Sequence, residues 1–263
     1  MKIQVLTENT ACRPDVQSEH GLSLYIETES HKILFDAGQT GLFAENARAM
    51  GVDLAGVDIA ILSHGHYDHG GGLKEFLALN DHAPVYIHKC AFEPHYAEAN
   101  RYIGLDTELA ESGRIRFTGD LLEIDDALSL CTLNGREEPF PSSGHGLFMG
   151  EGDCLAPDDF RHEQYLIIRE GNRRIVISGC SHRGILNIMH AFKPDIMIGG
   201  FHFKPILPSG DGAKLLAEAA QTLLAYDTVY YTGHCTGEEQ FAFLKALMGE
   251  RLHPLPTGQI FTP

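Results

Sequence analysis

The chain has 263 residues, of which 43% are hydrophobic and 21% are charged, a composition that excludes disordered, collagen-like and coiled-coil proteins. Its length fits one large α/β domain spanning residues 1–263. Twenty Lys and Arg against 36 Asp and Glu give a formal net charge of −16, which disfavours nucleic acids and anionic membranes as partners. Fifteen histidines in such a chain indicate metal binding or acid–base chemistry.

The apolar runs of the first 90 residues alternate between the periods of strands and helices. They predict strands at 1–7, 22–27, 32–35 and 57–62 and helices at 41–50 and 73–79. The first ten residues, MKIQVLTENT, lack the apolar stretch of a secretory signal, and no run approaches the roughly 18 apolar residues of a membrane span. We therefore expect a cytoplasmic protein that contacts no membrane, and we leave open whether it forms a homo-oligomer.

The second half of the chain again alternates between strand and helix patterns, without repeating the sequence of the first half. It predicts strands at 165–169, 174–178, 195–198 and 228–231 and helices at 185–192 and 213–225. Gly171 marks a hairpin turn between the first two of these strands. On the helix at 213–225, four residues are expected to face the core: Leu215, Leu216, Ala219 and Leu223.

Residues from about 90 to 160 are less regular, and 137–159 are rich in Pro, Gly, Ser and acidic residues. This pattern predicts a variable insertion, which is either a lid over a site or a surface segment. The six cysteines are far apart and include no CxxC pair, so neither a disulfide framework nor a zinc ribbon is expected.

Four metal-ligand side chains lie within six residues directly after the strand at 57–62: His64, His66, Asp68 and His69. Two alternating histidines can face one ion, while an Asp and a His displaced along the turn can face a second. Neutral imidazole and carboxylate are suitable ligands for zinc, iron or manganese. Seven other histidines are scattered singly and are interpreted as surface or core residues: His20, His31, His82, His88, His95, His190 and His253.

The segment HxHxDH resembles the metallo-β-lactamase superfamily of metallohydrolases. The resemblance extends over nearly the whole chain, because Asp36 after an early strand, His162 before a hairpin, Cys180 at its end and His234 in a late Gly-His pair follow in the family's order. It implies an α/β fold of four layers, the αβ/βα sandwich, in which two sheets pack face to face with helices outside. It also implies two divalent metal ions at one edge, with zinc expected and iron or manganese as alternatives.

The resemblance also implies a ligand set. The first ion would be held by His64, His66 and His162, and the second by Asp68, His69 and His234. Cys180 stands where most of the superfamily has a bridging aspartate, so it either bridges both ions as a soft thiolate or is a buried thiol and the bridge is missing. His145 is the alternative to His162. Asp36 would orient the metal turn by accepting hydrogen bonds.

Residues 179–187, 199–202 and 233–237 are similar to the branch named for 7,8-dihydropterin-6-methyl-4-(β-D-ribofuranosyl)aminobenzene-5'-phosphate synthase. His182 and Arg183 lie at a predicted helix start, where backbone N–H groups and cationic side chains could bind a phosphate. Alternatively, His182 caps the helix or orients a ligand. Asp68 and His182 are the candidate catalytic residues, and Arg183, His202 and Phe201 are the candidate substrate contacts.

The resemblance therefore predicts a metal-dependent enzyme that acts on a phosphorylated or diphosphorylated small molecule. Two ions roughly 3.5 to 4 Å apart can activate a bridging water for hydrolysis. The same pair can instead neutralise a leaving pyrophosphate while an amine attacks, the transfer that the branch implies for a dihydropterin diphosphate. The alternatives are a metal or ligand sensor, which the complete ligand set disfavours, and a diiron redox protein, for whose usual flavin domain 263 residues leave no room.

Overall fold

The computed structural model describes residues 1–98, 100–142, 146–150 and 154–263. His145, the alternative ligand to His162, lies outside the described residues. Six α-helices occur in the described part of the chain: α1 (Leu42–Ala49), α2 (Tyr67–Gly70), α3 (Leu73–Leu79), α4 (Ile185–Phe192), α5 (Gly210–Leu224) and α6 (Glu238–Met248). None of the described helices is both long enough and apolar enough to cross a bilayer.

The strands of the described residues fall into three sheets. In chain order they are β1 (Lys2–Thr7), β2 (Ser23–Glu27), β3 (Lys32–Phe35), β4 (Ile59–Ile61), β5 (Val85–His88), β6 (His95–Ala97), β7 (Arg101–Tyr102), β8 (Ile115–Thr118), β9 (Leu121–Glu123), β10 (Leu128–Cys131), β11 (Leu147–Met149), β12 (Ala156–Pro157), β13 (Tyr165–Glu170), β14 (Arg173–Ile177), β15 (Ile196–Ile198), β16 (Val229–Thr232), β17 (Leu252–Pro254) and β18 (Ile260–Phe261).

The two large sheets have matching designs. The first has the order β18-β1-β2-β3-β4-β5-β8, and the second has the order β17-β16-β15-β14-β13-β10-β9. Each combines an antiparallel part with a parallel part, and along the chain the parallel parts begin with the pairs β3–β4 and β14–β15. The carboxyl ends of the parallel strands lead into the segments that contain the candidate ligands. Parallel strands therefore bring these segments to one edge of the molecule.

Three apolar layers hold the sheets and helices together. Side chains such as Ile3 and Leu24 of the first sheet pack against Leu166 and Ile177 of the second, and each is at most 1% exposed. A second cluster fills the space between the first sheet and helices α1 and α3. A third lies between the second sheet and helices α4, α5 and α6. This arrangement confirms the predicted four-layer αβ/βα sandwich.

Two sequence predictions need correction. Leu215 of α5 is 56% exposed, whereas Leu216 is fully buried. Adjacent residues of a helix point about 100° apart, so only one of the two can face the core. The segment 90–160 is not one insertion, since β8, β9 and β10 belong to the two large sheets. Its remaining strands form a four-stranded sheet of their own, in the order β12-β11-β6-β7.

Candidate metal centre

The turn between β4 and α3 is fixed by Asp36, which follows β3 and has a positive φ of 59°. Its buried carboxylate accepts hydrogen bonds from the backbone N–H and the hydroxyl of Ser63, at 2.7 and 2.8 Å. The same carboxylate lies 2.7 Å from Nδ1 of His69. The hydrogen bond that the sequence analysis expected from Asp36 to the metal turn is therefore present. It leaves the Nε2 lone pair of His69 available to an ion.

A first group of ligand atoms comes from His64, His66 and His182, which lie within 4.8 Å of one another. The Nε2 atoms of His64 and His182 are 3.3 Å apart. Burial lowers the pKa of all three imidazoles well below 6.5, and neighbouring histidines lower it further. Among the described residues, Nε2 of His66 has no hydrogen-bond partner. A tetrahedral zinc with bonds of 2.0–2.1 Å holds its nitrogens about 3.4 Å apart, so this group fits an ion.

The tautomer of His64 follows from its neighbour. Ser63 donates its hydroxyl proton to Asp36, so its oxygen, 2.8 Å from Nδ1 of His64, accepts from that ring. A neutral imidazole that donates from Nδ1 has its lone pair on Nε2. His64 therefore presents a lone pair to the first group.

A second group consists of Asp68, His69 and His234. Nε2 of His234 lies 3.2 Å from Nε2 of His69 and 3.4 Å from the Asp68 carboxylate. Burial alone would raise the pKa of Asp68, but the neighbouring histidines outweigh it and lower the pKa well below 3.8. The amide oxygen of Asn9, 2.9 Å from Nδ1 of His234, accepts its proton, so Nε2 of His234 also carries a lone pair.

Cys180 lies between the two groups, at the end of β14. Its sulfur is 3.2 Å from Nε2 of His69. It also lies within 4.8 Å of ligand atoms of both His64 and His182. Burial raises the pKa of the thiol well above 9, because a thiolate without a cation would be poorly solvated there. A bound metal ion is the cation that would stabilise the thiolate.

A cavity of about 300 Å³ opens over these groups. Its lining includes Asp68, Cys180, His182 and His234 together with the cations Arg101 and Lys204. No ion pair joins either cation to another side chain in the described part of the chain. The cavity therefore combines metal-ligand atoms with free positive charge, in a chain of strongly negative net charge.

Comparison with known proteins identifies the fold family. The profile of the metallo-beta-lactamase superfamily matches residues 18–234. The chain belongs to this superfamily. Members bind divalent metal ions and are largely hydrolases or transferases of small molecules, and the groups described above could hold such ions.

Three similar proteins cover nearly the whole chain. The crystal structure of Tm1679, described as a metal-dependent hydrolase of the beta-lactamase superfamily, has a TM-score of 0.82 and 29% identity and covers 100% of this chain and 99% of its own. The uncharacterized protein MJ0448 of Methanocaldococcus jannaschii is 32% identical over 261 residues, which are 93% of this chain and 94% of the relative.

The third is the 7,8-dihydropterin-6-methyl-4-(beta-D-ribofuranosyl)-aminobenzene-5'-phosphate synthase of the same organism. It is 28% identical over 269 residues, which are 90% of this chain and 88% of the relative. Zinc-bound PqqB from Methylobacterium extorquens, at 12% identity and a TM-score of 0.57, shows the same fold alone.

His162 does not carry the lone pair that the superfamily resemblance implied. Its Nδ1 accepts the backbone N–H of Gly65 at 2.9 Å. A neutral imidazole that accepts at Nδ1 carries its proton on Nε2, and this Nε2 lies 3.5 Å from the carboxylate of Asp158. In this tautomer His162 directs a proton rather than a lone pair from Nε2. The ligand atom of His182, by contrast, lies within 4.8 Å of those of His64 and His66.

Two histidines interpreted as isolated belong to the surroundings of the site. Nδ1 of the fully buried His95 lies 2.7 Å from the buried carboxylate of Asp158. His20 lies 3.2 Å from the Asp68 carboxylate, and its ring is 4.9 Å from that of His234. Neither residue lies in a recognisable motif, so the sequence held no signal for them.

The backbone N–H groups of His182 and Arg183, where the sequence predicts a phosphate site, already have an acceptor. The Glu163 carboxylate accepts them at 2.7 and 3.1 Å. The Arg183 guanidinium pairs with Glu138 and donates to Asn134. Arg183 is therefore not brought into the cavity.

The other predicted substrate contacts lie nearer the site. His202 lines the cavity over the ligand groups, and Cys180, His182 and His202 form a further group of ligand atoms within 4.8 Å. Phe201 is 1% exposed and packs in the layer between the second sheet and the helices.

Proposed function

We propose that this chain is a metal-dependent enzyme with two adjacent ion sites, acting on a phosphorylated small molecule. The observation that supports it is the presence of two groups of ligand atoms on either side of Cys180, in which His64, His69 and His234 direct Nε2 inward. The first ion would be held by His64, His66 and His182, and the second by Asp68, His69 and His234. Cys180 would contact both.

The ligand set favours zinc, since imidazole with a thiolate is a typical zinc environment, and iron or manganese remain alternatives. Bound ions would supply Lewis acidity toward a phosphoryl oxygen and would lower the pKa of a bound water to about 7. Ions in this place make Asp68 and His182 ligands rather than acid–base groups.

The protein's own residues orient the ligands and bind the substrate. Asp36 and Asn9 hold His69 and His234 in the tautomer that ligation requires, while Glu163 fixes the backbone of His182. Arg101 and Lys204 would bind the anionic group of the substrate in the cavity. A cation pair of this kind favours a phosphate over a neutral ester.

Hydrolysis is the reaction we propose first, because the similarity to Tm1679, described as a metal-dependent hydrolase, covers the full chain. Displacement of pyrophosphate by an amine is the second candidate, favoured by the 28% identity to the dihydropterin synthase. Both would take place in one domain spanning residues 1–263. We place the protein in the cytoplasm, since its six cysteines are all free thiols.

Metal content and turnover test the proposal together. Untagged protein should contain about two zinc or iron ions per chain by mass spectrometry, and His66→Ala should contain fewer. A screen of phosphomonoesters, phosphodiesters, lactones and pterin diphosphates should then find turnover that a chelator abolishes. Wild-type metal content near zero, or no turnover with any metal, would overturn the enzyme assignment and favour a sensor.

A further inference from the structure

A second cavity adjoins the candidate metal centre and takes no part in the proposed chemistry. It has a volume of about 540 Å³ and lies between the start of α4, the segment after β15 and the outer face of α5. Its walls are mainly carbon, from Phe140, Leu186, Phe203, Ile206 and Leu215. We call this cavity the apolar groove. Binding sites for small molecules are commonly of this size and composition.

The apolar groove and the metal cavity meet at His182 and His202, which line both. The centroids of these two rings are 4.3 Å apart. His182 is also in the first group of metal-ligand atoms, so the groove begins beside the proposed reaction centre. A molecule that has one group in the metal cavity could extend another past these rings into the groove.

The charges of the two cavities are complementary to a molecule with two unlike ends. Lys204 and Arg101 line the metal cavity. None of the described residues that line the groove is a lysine or an arginine. The groove instead has Leu215, whose side chain is 56% exposed, and the one acidic residue of its described lining is Glu218. Covering that side chain with carbon would remove apolar surface from water, which is favourable.

We propose that the apolar groove binds an uncharged apolar group of the substrate, of the size of an aromatic ring system, while the substrate's phosphate lies in the metal cavity. The position of the phosphate rests on the proposed function, whereas the groove's affinity for carbon does not. The substrate class is thus an aryl or alkyl phosphate rather than a sugar phosphate or inorganic phosphate.

Two phosphonates test this division of the substrate between the metal cavity and the apolar groove. Their phosphorus–carbon bonds cannot be hydrolysed. Calorimetry on metal-loaded protein should give a Kd for (1-naphthylmethyl)phosphonate at least about tenfold below that for methylphosphonate. Leu215→Gln should abolish most of this difference and leave the Kd of methylphosphonate unchanged. Leu224→Gln is the matched control, because Leu224 lies on the same helix, is 39% exposed and does not line the groove.

An uncharged probe separates this inference from the proposed function. We expect 2-naphthol to bind the metal-free and the metal-loaded chain alike, and to bind Leu215→Gln more weakly than Leu224→Gln. If 2-naphthol behaves in this way while neither phosphonate binds, the groove stands and the phosphate assignment fails. If the naphthyl group gives no gain in affinity, or if Leu215→Gln and Leu224→Gln retain the same gain, the groove proposal is overturned.

Discussion

Two sets of buried histidines meet at His66 and differ in what their ring nitrogens face. Around Cys180, the Nε2 atoms of His64 and His69 face another imidazole or a sulfur. Around Asp158, the rings of His95 and His162 face a carboxylate, at 2.7 and 3.5 Å. We call Asp158, His95 and His162 the Asp158 group. In one set the centre is a place for a cation, and in the other an anion already occupies it.

The difference shows that hydrogen bonding at Nδ1 identifies a ligand better than the number of histidines does. In His64, His69 and His234, Nδ1 donates to a serine, an aspartate or an asparagine, so Nε2 is the nitrogen left to face an ion. In His162 the backbone N–H of Gly65 reverses this arrangement. The Asp158 group thus pairs its histidines with a carboxylate, whereas the groups around Cys180 bring imidazoles and a thiol together.

The largest effect should come from removing a ligand of the first group. His64→Ala should lower the metal content per chain and reduce kcat/KM by at least about 10³-fold, since catalysis by a bound ion depends on its ligands. The matched variant is His162→Gln, whose amide oxygen can accept the Gly65 N–H. We expect it to retain its metal content and most of its activity. Metal loss in His162→Gln would contradict the distinction between the two sets.

The next largest effect concerns stability. Burial alone would raise the pKa of Asp158, but hydrogen bonds from His162 and His95 outweigh it and hold the pKa far below its usual range. Asp158→Asn removes one member of a buried charged group, so the free energy of unfolding should fall by about 3 kcal/mol. Urea denaturation at pH 7 measures this loss. The metal content should not change, and a parallel loss of metal would argue that Asp158 supports the ion sites.

The same carboxylate gives a pH dependence of defined sign. The pKa of Asp158 is lower in the folded than in the unfolded state. Its contribution to the free energy of unfolding is therefore present above the unfolded-state pKa of about 4, and it is lost as the pH falls from there toward the folded-state pKa. Wild-type protein should therefore lose more stability between pH 5 and 3 than Asp158→Asn does. Equal slopes for the two proteins would contradict the assignment of a buried, charged Asp158.

The sequence predicted much of the fold and of the metal turn for physical reasons that are local. The helices at 73–79 and 185–192 have the predicted bounds because their apolar positions recur with helical period. Asp36 and the segment from His64 to His69 are adjacent to strands that end at one sheet edge. The orienting role predicted for Asp36 and the metal binding predicted for the segment were thus inferred from the order of residues along the chain.

The rest depended on contacts between distant segments. From the sequence, His182 could bind a phosphate, cap the helix or orient a ligand, and only the folded structure shows that the Glu163 carboxylate accepts its backbone N–H. Likewise, His95 and Asp158 are 63 positions apart in the sequence but 2.7 Å apart in the structure. Tautomers are also set by such partners, so a pattern of histidines cannot identify which ring nitrogen is free.

Glu163 allows a smaller test of how the ligands are oriented. Glu163→Gln replaces a charged acceptor of the His182 and Arg183 N–H groups by an amide, which weakens the support of His182. We expect the affinity for the first ion to fall by about 10- to 100-fold, the effect typical of residues that orient a ligand. Competition with a chromogenic chelator measures it. Glu29→Gln, the same substitution at an exposed carboxylate in the turn between β2 and β3, is the control and should leave metal affinity unchanged.

Metal uptake should also depend on pH through His69. Burial alone would lower the pKa of His69, but the carboxylates of Asp36 and Asp68 outweigh burial and raise the pKa of this imidazole in the metal-free protein to about 9. An incoming ion must displace the Nε2 proton, so the apparent affinity for zinc should fall about tenfold per pH unit below pH 9. Proton release measured by calorimetry in two buffers checks this. In Asp36→Asn the onset should move to lower pH.

The smallest effects should distinguish a cationic side chain in the metal cavity, Lys204, from one outside it, Arg183. Lys204→Gln should raise KM for an anionic substrate by about three- to tenfold at low salt, and the difference should shrink as ionic strength rises. Arg183→Gln should leave KM unchanged, because its guanidinium is already paired with Glu138 outside the cavity. If Arg183→Gln raises KM as much as Lys204→Gln does, the substrate reaches α4, and the ion pair must open to admit it. Equal salt dependence of KM in wild type and Lys204→Gln would instead remove Lys204 from the substrate's path.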